Sequence, residues 1–233
     1  MESVESNITF PDTKLSACIV GITEQFVDQL EDLNCANLGI SDATGLEQLT
    51  SLKSLELSNN DLASIDLSTN TALENLYLSS NNITTIDLAV NTALRKLEVG
   101  DNELTTIDLS TNTAIWNLSL YMNQFMDIDL STNTAVEILD ISLNPFTSIN
   151  LSKNTALTRL TLLKNELSGI DLSKNTALTG LSMDGKELTT IDLSKNIALE
   201  GLRLTGYELT TINLSENTAF VTLNLGNNAF TEI

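Results

Sequence analysis

The side chains that carry out reactions are unevenly supplied in this chain. It contains no histidine, so a serine or cysteine nucleophile lacks its usual base. Carboxylates are plentiful, with 31 acidic against 11 basic residues, and two facing carboxylates are what glycoside hydrolysis requires. No pair is set apart by its neighbours, so no catalytic residue is expected and the chain does not read as an enzyme. One set of carboxylates does share a spacing. Asp66, Asp87, Asp108, Asp129, Asp171 and Asp192 stand 21 residues or a multiple of 21 apart, with Asn150 and Asn213 at the vacant places. Ca²⁺ bridging is one way to offset the repulsion of stacked carboxylates. Hydrogen bonds from the Ser-x-Asn turn that follows each one are the favoured alternative, because no extra ligand distinguishes any single site; no cofactor is otherwise implied. Cys18 and Cys35 lie 17 positions apart. Without histidine they are half a zinc site, which leaves one disulfide or two packed thiols.

Composition narrows the partners. A net charge of −20 repels phosphate backbones and anionic headgroups, which argues against nucleic acid and membrane surfaces. No apolar run is long enough to span a bilayer, and the N-terminus, MESVESNITF, has neither the basic start nor the apolar stretch of an export signal. Hydrophobic residues make up 42% but aromatics only 4%, so the chain has a core to bury and that core is aliphatic. Two prolines and ten glycines are too few to make the turns; Asn, Asp, Ser and Thr must make them.

The elements that position these residues follow from one internal repeat. From Leu52 the pattern L-x-x-L-x-L-x-x-N-x-L-x-x-I-D-L-S-x-N-T-A recurs every 21 residues, with full copies at Leu52, Leu73, Leu94, Ile115, Val136, Leu157, Leu178 and Leu199 and a partial one from Phe220. The x-L-x-L-x stretch alternates, as a half-buried strand does. Its inward residues are Leu55 and Leu57 in the first copy and Leu223 and Leu225 in the last. A strand this short is stable only when stacked, which implies a solenoid with one parallel sheet on its concave face. The segment holding Ile65 and Leu67 again has period two, which implies short extended segments and turns on the convex face. Ala72, Ala93 and their equivalents are expected to pack tightly where each coil re-enters the sheet. The ninth position is Asn60, Asn81, Asn102, Asn123, Asn144, Asn165 and Asn228, replaced by Lys186 and Tyr207 in two units. An inward amide there can bond backbone groups of neighbouring coils, so the ladder should weaken near the seventh and eighth units.

These residues resemble the leucine-rich-repeat family over about 200 positions, and the leucines and asparagines carry over as core and ladder. Residues 10–22, FPDTKLSACIVGI, read as a short helix capped by Asp12, with Leu15, Cys18, Ile19 and Ile22 on one face. A helical cap over residues 1–29, a first repeat of 22 residues over 30–51, eight repeats of 21 residues over 52–219 and a partial ninth over 220–233 make the expected organisation. The cap and first repeat are similar to those of bacterial internalin-like surface proteins, which keep the 22-residue form throughout where this chain does not. That resemblance implies a secreted or cell-surface protein. Cys35 takes an inward strand position and Cys18 faces it from the cap, so a bridge would pin the cap to the first coil. No polar cap follows Phe230 and Ile233. The expectation is that the natural chain continues there, or that two ends pair in self-association.

Function then falls to the outward residues of the sheet, which the core leaves free to vary. Most are small or charged. Tyr77, Trp116, Tyr121, Met122, Ile138, Leu143 and Leu163 break that pattern, and clustered aromatic, Met and Leu side chains suit a binding hot spot. Glu98, Asp101, Asp140, Arg159, Lys164 and Asp184 form a charged rim, which suits a protein partner on a host or neighbouring cell better than a sugar. A structural spacer or self-associating surface element is the alternative, and carbohydrate stacking on Trp116 and Tyr121 is a third reading.

Overall fold

The computed structural model describes residues 10–20, 29–185, 188–206 and 208–231. One short strand per coil is laid down in chain order: β1 (Asp32–Asn34), β2 (Ser54–Glu56), β3 (Asn75–Tyr77), β4 (Lys96–Glu98), β5 (Asn117–Ser119), β6 (Ile138–Asp140), β7 (Arg159–Leu162), β8 (Gly180–Asp184), β9 (Gly201–Thr205) and β10 (Thr222–Asn224). Each pairs in parallel with the next, in the order β1 to β10. The register follows the repeat, so that Leu33, Leu55, Leu76 and Leu97 lie side by side and continue to Leu202 and Leu223. A three-residue strand has almost no hydrogen bonds of its own. The stack supplies them, and every inward leucine from Leu33 to Leu202 is at most 2% exposed. Burial of such a side chain stabilises by about 1.5–3 kcal/mol, and each coil contributes several.

Among the described residues the outer segments of the 21-residue units carry no helix. Each closes instead with a pair of tight turns, as in Asn70 N–H to Leu67 C=O (3.1 Å) and Leu73 N–H to Asn70 C=O (3.3 Å). The 22-residue first unit differs: its extra residue is taken up in a 3-10 turn at Leu46–Gln48, entered through Gly45 at φ 106°, a conformation that favours glycine. At the front, α1 (Thr13–Val20) begins after Asp12. Asp12 Oδ1 accepts the N–H groups of Lys14 (2.8 Å) and Leu15 (3.1 Å), the geometry of an N-cap. Leu15 and Ile19 are buried against the first coil; Ile22 lies outside the described residues. Cys18 and Cys35 form a disulfide. No helix among the described residues is long and apolar enough to cross a membrane.

Two amide ladders run through the stack. In the expected one, Asn123 Nδ2 donates to Val99 C=O (2.9 Å) and Leu120 C=O (3.2 Å) while its Oδ1 accepts Leu104 N–H (2.9 Å). Asn60, Asn81, Asn102 and Asn144 repeat this arrangement. The ladder is interrupted in the sixth unit: the amide of Asn165 is buried with no hydrogen-bond partner for either its nitrogen or its oxygen. Here the paired strand runs on through Leu162 and Met183, and Lys164 N–H turns to the Asp184 carboxylate instead of a backbone carbonyl. Asn228 donates to Leu204 and Leu225; Lys186 and Tyr207 lie outside the described residues. The second ladder corrects the expectation of mere turn chemistry in the Ser-x-Asn-Thr columns. Asn70, Asn91, Asn112, Asn133, Asn154, Asn175 and Asn196 are fully buried, and each Nδ2 donates to two carbonyls of the preceding coil, as Asn112 does to Leu88 (3.0 Å) and Asn91 (2.9 Å). The neighbouring alanines are not the tight contact: Ala72 and Ala93 are half-buried and Ala114 is exposed.

Candidate functional site

The aspartate column is explained by its turns. Oδ1 of Asp66 accepts Ser68 N–H (2.9 Å), and Asp87, Asp108, Asp129, Asp171 and Asp192 do the same with the residue two places on. Asn150 and Asn213 substitute without loss of the bond. Backbone N–H donation from the following serine, reinforced by its hydroxyl, lowers the carboxyls of Asp66, Asp129, Asp171 and Asp192 below their usual value; at Asp108 the Ser110 hydroxyl leads. No group of three or more metal-binding side chains occurs among the described residues.

The outward sheet residues fall into columns set by register. Tyr77 stands between Glu56 and Glu98, and Lys96 Nζ sits 4.9 Å above its ring while pairing with Glu98 at 2.8 Å. Ile138 stands between Asn117 and Arg159 and is half-buried. Trp116 lies just before β5, at the upstream edge of the sheet, 39% exposed. Tyr121, Met122, Leu143 and Leu163 lie past the strand ends, at the downstream edge. Five residues of extended chain separate the two edges, about 16 Å at roughly 3.3 Å per residue. The structure therefore places four of the seven apolar residues along one edge of the sheet and leaves Tyr77, Trp116 and Ile138 apart from them.

The downstream cluster has a feature that alternation alone does not disclose. Its coils are joined by Met122 N–H to Ser142 C=O (2.8 Å) and Leu143 N–H to Leu163 C=O (2.7 Å). At this column the chain turns off the sheet through a left-handed residue: Asn37, Asn59, Ser80, Asp101, Lys164, Asn227 and Gly206 in other coils, but Met122 (φ 53°) and Leu143 (φ 57°) here. Left-handed backbone costs an ordinary L-residue roughly 1–2 kcal/mol, and Asn, Asp and Gly tolerate it best. Met122 and Leu143 nonetheless occupy it, adjacent to each other and 49% and 40% exposed.

Tyr121 is held in a set direction beside them. A Cβ on Gly100, the preceding residue of its column, would overlap Cδ1 and Cε1 of the Tyr121 ring, so the ring lies on bare backbone. On the other side Ser142 is buried and its Oγ accepts Leu163 N–H (3.1 Å). Of the rim residues, Glu98 is tied to Lys96, Asp140 accepts Ser142 N–H (2.9 Å), and Asp184 receives Arg203 (3.4 Å) as well as Lys164 N–H. Asp101 and Lys164 hold left-handed positions in the same column as Met122 and Leu143, and Arg159 is exposed on β7.

A stack of 21-residue coils with a leading apolar strand, an asparagine ladder and a helical cap defines a leucine-rich-repeat protein. Within that class the chain is similar to the functional domain of InlJ from Listeria monocytogenes, which includes a cysteine ladder. The TM-score is 0.92 at 32% identity, over 96% of this chain and 52% of that one. A leucine-rich-repeat protein of Leptospira interrogans superposes with a TM-score of 0.82 at 19% identity, over 91% of this chain and 59% of that one. Internalin C2 of Listeria monocytogenes does so with 0.71 at 22%, over 93% and 95%. The chain thus spans 52% and 59% of the first two, and the last two establish likeness of fold alone. No protein-family model and no curated protein sequence matches it. The chain is a leucine-rich-repeat protein resembling the internalins. Its two cysteines are both used in the cap bridge, and its stack is laced by asparagines instead.

Proposed function

We propose that this chain is the recognition module of an exported bacterial surface protein, and that it binds another protein through the concave sheet face with Tyr121, Met122, Leu143 and Leu163 as the apolar centre. The observation that carries the proposal is the pair Met122 and Leu143: exposed, adjacent, and in a backbone conformation that polar residues or glycine fill in the other coils where it occurs. Strained backbone held without a packing gain marks functional positions, and exposed Met and Leu beside a fixed aromatic ring suit a protein hot spot. Tyr77, Ile138 and Trp116 flank this centre as secondary contacts. The disulfide supports an oxidising destination, as does similarity to internalins, and a partner on a host or neighbouring cell fits both. Trp116 and Tyr121 stand on opposite edges and make no single platform for a sugar ring.

The test is binding of the fluorescently labelled chain to intact animal and bacterial cells, with and without prior protease or glycosidase treatment of those cells. Protease-sensitive binding is expected, and it should fall at least tenfold in the Tyr121→Ser, Met122→Asn, Leu143→Asn triple variant, since about 1.4 kcal/mol is tenfold in affinity. Equal binding by that variant would contradict the assignment. Glycosidase sensitivity would favour carbohydrate recognition.

A further inference from the structure

We infer that the concave face carries a second subsite, on β7 to β10, that takes an aromatic side chain flanked by acidic groups on the protein partner. The inference rests on the sheet face being the recognition surface and adds what the partner must present there. Its starting point is two glycines. Gly180 and Gly201 occupy the same outward column and pair directly in adjacent strands, where glycine weakens a strand and offers nothing to pack. The backbone does not require them, since neither has a left-handed φ; a Cβ on Gly180 would meet Arg159 Cγ at an ordinary 3.6 Å, whereas one on Gly201 would come within 3.2 Å of the Thr222 hydroxyl, which would have to give way slightly. Most other coils place a side chain in this column, from Asp32 and Ser54 to Arg159 and Thr222. The result is an open groove of about 340 Å³ over bare backbone, bordered by Arg159, Ser182, Arg203 and Thr222.

Charge selects the occupant. The outward strand residues of β1 to β6 include Asp32, Glu56, Glu98 and Asp140, whereas those forming the groove include Arg159 and Arg203 and no carboxylate. Two of the three arginines of a chain with net charge −20 thus border one groove. Arg203 reaches Asp184 at 3.4 Å, and Arg159 forms no ion pair among the described residues. Guanidinium groups stack on aromatic rings and bind carboxylates in fork geometry. The same molecule shows what a flat ring does on such a floor: the Tyr121 ring lies on the backbone of Gly100. Gly180 and Gly201 offer an uncovered floor of the same kind, two coils wide.

The experiment titrates the whole chain with a fluorescent peptide, Glu-Asp-Tyr-Glu-Asp, and with control peptides that carry Leu for Tyr or Lys for each acid. The Tyr-acid peptide should bind and each control should bind at least tenfold more weakly. Gly201→Val, which fills the groove with a good strand former, and Arg159→Gln, which leaves the floor open, should each lower affinity at least fivefold. Circular dichroism verifies that both variants fold. The Met122→Asn, Leu143→Asn variant should bind the peptide as wild type does, so loss of the downstream cluster and loss of this groove read separately. Failure of the wild-type chain to bind the peptide, equal binding of a control, or unchanged affinity in both groove variants would overturn the inference.

Discussion

Asn123 and Asn165 occupy the same place in the repeat, yet only the first is bonded. Removing the Asn123 amide strands two carbonyls and one N–H of its own and neighbouring coils; a buried group left without a partner costs about 1–3 kcal/mol. Asn123→Ala should therefore lower unfolding free energy by about 2–4 kcal/mol in urea, and Asn165→Ala by under about 1 kcal/mol. Equal losses would mean that Asn165 is bonded after all. Asp12 makes a prediction in acid. Desolvation raises its carboxyl, but N–H donation from Ser41, Leu15, Lys14 and Asp42 outweighs that and holds it at about 2. A carboxyl lowered on folding contributes stability that is complete above its unfolded value of about 3.9 and disappears as pH falls through the folded one. Between pH of about 4 and about 2 the melting temperature of wild type should fall more steeply than that of Asp12→Asn, which keeps a capping oxygen but no charge; parallel slopes would contradict it.

At the scale of elements, the cap and the coils were legible in different degrees. The Asp12 cap and the buried Leu15 and Ile19 face follow from local pattern, and the structure places them as the repeat and helix periodicities require. The Cys18–Cys35 pairing was open, because spacing and face bring the thiols together without deciding whether they bond. The second asparagine ladder was not legible: Asn70 and its equivalents sit in Ser-x-Asn-Thr runs, where a buried amide and a turn-forming one look alike, and alanine beside them invites the wrong choice of packing residue. The bridge closes a loop of 17 residues, for which the chain-entropy account gives about 3 kcal/mol. Cys18→Ser with Cys35→Ser should remove about that much, and because coils contact only their neighbours, hydrogen exchange should quicken in α1, β1 and β2 while β5 and β6 keep their protection. Uniform acceleration along the stack would show that the cap secures the whole solenoid.

Across the whole molecule, the repeat predicts the sheet, its register and which columns face outward, and so predicts that Met122 and Leu143 are neighbours. It does not tell which edge of the sheet each outward residue reaches, and so it groups Trp116 with a cluster about 16 Å away along the strand. Nor does periodicity reveal that the column of Met122 and Leu143 is left-handed, since Asn, Ser, Asp and Lys in it read as ordinary surface residues. The central claim is that these two apolar side chains are kept at a cost to folding because a partner covers them. Chemical denaturation of Met122→Asn, Leu143→Asn beside wild type tests it most directly. Asparagine tolerates the left-handed turn, as Asn37, Asn59 and Asn227 do in other coils, so the double variant should unfold at the same or a higher denaturant concentration. A clear loss of stability would show that Met122 and Leu143 serve the core of the solenoid, and the interaction surface would have to be sought elsewhere.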